Sequence, residues 1–163
     1  MIDTKIIQFT VPGEPEGMQR PRAGFRKGRG GKKFIQMYSP AESVAYKQKI
    51  ALFAQSRRPD QPWDGPIRLD WIAYMERPQY LMKPTSPRHA IWCRQKPDRD
   101  NIDKAIMDAI TQVGGFWLDD KDVCFGAIAK LYRAMDSQPG LVIRLSRLPE
   151  RVDEEALFQE AAP

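Results

Sequence analysis

The sequence predicts an α+β fold in a single domain: a mixed four-stranded sheet with two main helices packed on one face. Three observations carry this. Residues 67–75 set Ile67, Leu69, Trp71, Ala73 and Met75 on one side, the period-two pattern of a strand with one buried face. Residues 101–113 place Ile102, Ala105, Ile106, Ala109, Ile110 and Val113 at helical spacing. The elements follow the order β, α, β, α, β, β in a chain of 163 residues, enough for one core and short for two.

Taken in order, Ile7, Phe9 and Val11 share one face of a first strand over residues 5–11, which Pro12-Gly13 stops. Residues 14–33 have no apolar periodicity, are rich in glycine, and carry Arg20, Arg22, Arg26, Lys27, Arg29, Lys32 and Lys33; they read as a mobile basic loop. Ser39-Pro40-Ala41-Glu42 has the form of a capping box, and the helix it opens would turn Ala41, Val44, Ala45, Ala51 and Leu52 inward. After the strand at 67–75, residues 76–97 form a second basic, proline-rich excursion with room for a short helical piece. Gly114 or Gly115 would end the helix at 101–113. Residues 123–133 and 141–147 then read as two strands of a hairpin, and 149–160 as a fraying acidic helix.

The formal charge of +5 is unevenly placed, since residues 148–163 hold five acids and one arginine, leaving +9 on residues 1–147. The expected division is therefore a basic body, 1–147, and an acidic tail, 148–163. A basic body suits a polyanionic partner, because neutralising phosphates releases condensed counterions. No apolar run approaches the roughly 20 residues that span a bilayer, so no membrane association and a cytoplasmic location are expected. Cys93 and Cys124 form no CxxC and His89 is the only histidine, so the sequence offers neither a disulfide framework nor a zinc site.

The segment Lys96-Pro97-Asp98-Arg99-Asp100-Asn101 is the most informative. Proline favours extended backbone before it, and an extended D-x-D would turn both carboxylates to one side as hard oxygen ligands for Mg²⁺. Lys104 lies four residues beyond Asp100, on the same helical face, with Asp108 a turn further on. The turn Phe116-Trp117-Leu118-Asp119-Asp120 could return a third carboxylate to the first two. Plainer readings remain: the aspartates as helix caps, Asp119-Asp120 as an acidic turn, Lys104 as the ion-pair partner of Asp100 or Asp108, and Phe116 and Trp117 as core plugs.

The stretch KPDRDNIDKAIMDAITQVGGFWLDDKDV, residues 96–123, resembles the signature of the RusA family of crossover junction endodeoxyribonucleases. It holds the D-x-D-N, the lysine four residues after the second aspartate, the D-A pair and the G-F-W-L-D-D turn, in order. Val11-Pro12-Gly13 and Arg20-Pro21-Arg22 resemble the family's first strand and R-P-R loop, with Met18 where a lysine often precedes that loop. The resemblance implies Asp98, Asp100 and Asp120 as metal ligands for Mg²⁺, or Mn²⁺ in its place, and Lys104 as the essential lysine. It also implies a homodimer that resolves four-way (Holliday) junctions by paired hydrolysis in recombination and repair, and the basic loop is expected to grip the DNA backbone through Arg20, Arg22, Arg26 and Lys27. Its rivals are a non-catalytic basic DNA-binding module and a metal-dependent flap or single-strand nuclease.

Overall fold

A computed structural model describes residues 5–159. Its centre is the alternating strand anticipated at 67–75, β4 (Ile67–Met75), whose five odd-numbered side chains are all buried. The sheet is six-stranded rather than four. β1 (Ile7–Pro12) pairs antiparallel with β8 (Gly140–Arg147), and β8 pairs antiparallel with β4. On the far edge of β4, β6 (Val123–Phe125) and β7 (Ile128–Tyr132) run parallel to it in tandem, and β5 (Ile91–Trp92) closes on β7.

Two expectations about the last strands are corrected here. The run 123–133 is broken at Gly126, where a Cβ would lie 1.9 Å from the Leu69 carbonyl oxygen, so that β4 passes too close for a side chain. β7 and β8 are not a hairpin either, because β4 lies between them and bonds to both. A buried nine-residue strand has backbone groups on both edges to satisfy, and these two neighbours satisfy them.

Helices α1 (Ala41–Gln55) and α2 (Arg99–Val113) cover one face of the sheet. The α2 stripe of Ile102, Ala105, Ile106, Ala109 and Ile110 is buried as its spacing predicts, and Gly114 ends the helix at φ 68°. In α1 the predicted face is wrong. Ser43, Tyr46, Ile50 and Ala54 are buried while Leu52 is 67% exposed, since turning Tyr46 and Ile50 inward removes more apolar surface than turning in the alanines. The capping box is also absent: Pro40 is the N-cap, without a side-chain bond. Ser43 Oγ and Glu42 instead accept from the backbone and side chain of Gln19, at 3.1 and 3.2 Å.

The segment anticipated as a mobile basic loop, 14–33, instead contributes β2 (Arg22–Lys27) to a two-stranded antiparallel ribbon with β3 (Lys33–Tyr38), separate from the main sheet. The excursion at 76–97 holds a 3-10 turn at Gln79–Leu81 and is organised by Arg77, which is 4% exposed. Its guanidinium donates to the carbonyls of Arg133 (2.6 Å), Pro87 (2.7 Å), Leu81 and His89. One arginine of the excursion is thus a structural pin. Cys93 is buried and Cys124 exposed, both free. The acidic tail forms α3 (Glu154–Gln159), and residues 160–163 lie outside the described residues. No helix among the described residues is long and apolar enough to cross a membrane.

Candidate active site

A cleft of about 1160 Å³ lies where the segment following β1 crosses the start of α2. Glu14 to Arg20 form one wall, and Lys96, Pro97, Asp98, Asp100 and Asn101 the other, with Met75 at the end of β4 beneath. The walls are tied together by Met18 N donating to Asn101 O at 2.9 Å. They meet so closely at Gly17 that a Cβ there would lie 2.7 Å from Pro97 Cβ and 3.0 Å from Asn101 Cβ.

The D-x-D is not extended, which corrects the expectation. The extended backbone stops at Asp98 (ψ 149°), and helix begins at Arg99, because Asn101 and Ile102 N–H donate back to the Asp98 carbonyl. Asp98 is therefore the N-cap and Asp100 stands in the first turn. Both carboxylates still face the cleft, now through helix geometry. Asp98 makes no side-chain cap bond, and among the described residues neither carboxylate has a side-chain hydrogen bond or ion pair. The capping role is thus not taken up. Lys104, exposed on α2, likewise pairs with neither Asp100 nor Asp108 among the described residues.

What fixes Asp98 comes from the sheet. Lys130 on β7 reaches across to donate to the carbonyls of Pro97 (2.5 Å) and Gln95, while its own carbonyl accepts from Cys93 N at 3.0 Å. The α2 helix is further held to β4 by Trp71 Nε1 donating to Asp103 Oδ1 at 2.7 Å. Sequence reasoning missed both residues, because nothing in their spacing marks a contact across 33 or 32 positions. It also missed Glu14, Glu16 and Glu42, which line the cleft. Burial raises the Glu14 carboxyl above its ordinary value, and its Oε2 accepts from Glu76 N at 2.7 Å.

Asp120 lies elsewhere in the same chain. It opens a 3-10 turn, Asp120–Asp122, leading into β6, where Val123 pairs with Ile67 at the beginning of β4, whereas Met75 at the other end of β4 lines the cleft. A nine-residue strand at about 3.3 Å per residue separates those ends by roughly 26 Å. The loop does return to the sheet, but 15 residues of α2, at about 1.5 Å each, carry it to the opposite end. Its neighbour Asp119 is engaged locally, with Oδ1 accepting from Lys121 N at 3.0 Å and Oδ2 from Lys121 Nζ at 3.1 Å. Those bonds hold its carboxyl below the ordinary value. Phe116 and Trp117 are buried plugs, Trp117 bridging to Trp63 and donating to Thr111 Oγ1.

Among the described residues no three His, Cys, Asp or Glu side chains are gathered closely enough to hold a metal ion by themselves. The pair Asp98 and Asp100 nevertheless fits a hard divalent cation, which commonly takes one or two carboxylates and completes its shell with water and phosphate oxygens. Of the anticipated DNA contacts, Arg20 lines the cleft, while Arg22, Arg26 and Lys27 lie on the exposed strand β2.

Comparison with known proteins adds two findings. The family model described as Endodeoxyribonuclease RusA matches residues 12–146. An uncharacterized protein of Bacillus subtilis (strain 168), YqaN, is 32% identical over 131 residues, which are 77% of this chain and 87% of that protein.

Proposed function

The chain belongs to the RusA endodeoxyribonuclease family, and on that premise we propose that it resolves four-way DNA junctions by Mg²⁺-dependent phosphodiester hydrolysis, as a homodimer, in DNA recombination and repair. The observation that carries this reading is the unpaired state of Asp98 and Asp100, two exposed carboxylates in one cleft of a basic protein. Acids placed where a polyanion must approach would repel it unless a cation lies between them.

In this reading Asp98 and Asp100 hold Mg²⁺, or Mn²⁺ in its place. When bound, the ion supplies the charge that activates water and offsets the charge developing on the scissile phosphate. Lys104, one turn along α2 from Asp100, offsets phosphate charge or orients the water. Arg20, Arg22, Arg26 and Lys27 grip the DNA backbone, which positions the substrate without reading its sequence.

Asp120 belongs to this site only through the dimer. One chain separates it from the Asp98–Asp100 pair by the length of β4, so the third carboxylate comes from a second copy, and closed two-fold symmetry then builds two such sites. Residues 1–147 make up the nuclease unit, and the acidic tail, 148–163, takes no part in the chemistry.

The test is cleavage of a synthetic four-way junction against duplex, flap and single-stranded controls, with and without Mg²⁺. Mg²⁺-dependent paired nicking of the junction alone is expected. Preferential cutting of flaps or single strands contradicts the junction reading, and binding without cutting contradicts the enzymatic one. Mixing inactive Asp98→Asn and Asp120→Asn proteins should restore nicking through mixed dimers. Failure of mixed dimers to nick removes the shared site.

A further inference from the structure

From Gly17 to Ala41 the chain holds seven arginines and lysines and no acid, and most of them lie on or beside the β2–β3 ribbon. The ribbon also carries bulky apolar side chains in the open, and the pairing register sorts them. On one face, Arg22 is opposite Tyr38 and Arg26 opposite Phe34. There each ring lies against a glycine, Tyr38 over Gly24 and Phe34 over Gly28, within 3.0 and 3.4 Å of where a Cβ would sit, and both stay about half exposed. On the other face Ala23 is opposite Met37, Phe25 opposite Ile35, and Lys27 opposite Lys33. Among the described residues that face is left open: Phe25 is 78% exposed, Ile35 66% and Met37 59%.

An uncovered apolar face asks for an occupant, and the charge around it selects one. A second copy docking through this face would set Lys27 and Lys33 and their flanking cations against a like-charged ribbon. A nucleic acid offers the opposite: phosphates for the cations, and base faces for an aromatic ring. Bases inside a continuous duplex are stacked and closed to Phe25, whereas the stack is interrupted at a branch point.

We propose that the β2–β3 ribbon is a branch-reading arm, in which Phe25 stacks on a base exposed at the junction centre while Lys27 and Lys33, on the same face, hold the flanking phosphates. The proposal rests on the junction reading above and adds the element that distinguishes a branch from a duplex. Phosphate contacts alone bind both kinds of DNA. Selectivity then comes from a ring that finds a partner only where stacking is broken.

The experiment uses the full chain in EDTA, so that binding is seen without cleavage, and a junction with 2-aminopurine beside the branch point. Wild-type protein should change the 2-aminopurine fluorescence and bind the junction more tightly than duplex of the same length. Phe25→Ala should lose the fluorescence change and about tenfold in junction affinity, while keeping its duplex affinity, its salt dependence and its melting temperature. Phe25→Trp should retain the junction behaviour. If Phe25→Ala keeps the junction preference, or weakens junction and duplex equally, the arm does not read the branch. A fall in solution mass of Phe25→Ala relative to wild type assigns the face to a second copy and overturns the proposal. Wild-type protein that does not prefer the junction overturns the underlying junction reading itself, a result obtained before any variant is made.

Discussion

Two carboxylates at the head of a helix can serve a reaction only if the chain ahead of them is held still, and here a single ammonium group does that. Lys130 ties the carbonyls of Gln95 and Pro97 to β7. Replacing it by methionine keeps the aliphatic stem and removes the donors. Lys130→Met should lower the nicking rate about 10- to 100-fold, as expected when reacting groups are misplaced by about 1 Å, with little change in DNA affinity; an unchanged rate would deny it a positioning role. A second residue-scale expectation concerns pH. Arg133 bonds Glu76 through Nε at 3.0 Å and Nη2 at 2.6 Å and holds its carboxyl below the ordinary 4.5. A depressed carboxylate stabilises the fold above that ordinary value, and the contribution is lost as pH falls through the lower folded value. Glu76→Gln should therefore cost about 1 kcal/mol or less at pH 7, the pair being partly exposed. The difference should vanish in acid, as followed by urea unfolding at both pH values; an equal loss at both would refute the assignment. Glu76 and Arg77 show why such roles were not legible in sequence. Both read as surface charges of a basic excursion, and only the fold places their partners 56 and 57 positions away.

Elements were legible in proportion to how strongly one face is buried. β4 and α2, with five buried residues each on a regular period, stand where the sequence places them. α1 has a weak pattern, and tertiary burial of Tyr46 and Ile50 chose its face. Glycine told a different story at 126, where it marks a close approach of β4 and splits a strand that alternation alone would join. Gly126→Ala should destabilise the protein by about 1–3 kcal/mol, read as a lower urea midpoint at unchanged slope; a neutral effect would mean that the two strands can part freely. The basic stretch at 14–33 offered no periodicity, yet part of it forms a ribbon with β3, because Gly28, Gly30 and Gly31 supply the turn. Replacing Arg20, Arg22, Arg26 and Lys27 together by alanine should weaken junction binding. It should also flatten the plot of log affinity against log salt by about 0.9 for each phosphate that is no longer neutralised. An unchanged slope would mean that the main phosphate-binding cations lie elsewhere.

At the scale of the whole molecule, the α+β class and the helices on one face of a mixed sheet followed from the order of elements, but the strand order did not. Sequence places β7 and β8 next to each other along the chain; it does not say that β4 enters between them to satisfy its second edge. The same limit governed the site. Spacing put Asp98 and Asp100 together, while the position of Asp120 depends on which end of β4 the chain reaches after α2. The proposed function turns on one claim, that Asp98 and Asp100 are used for metal-dependent cutting and not for DNA binding. The most direct measurement compares wild type with Asp98→Asn and Asp100→Asn, scoring junction binding and Mg²⁺-dependent nicking on the same labelled junction. The account predicts that both variants bind at least as tightly as wild type and nick at least 100-fold more slowly, an amount on the scale of losing one group that stabilises the transition state. Nicking by both variants at the wild-type rate would contradict it.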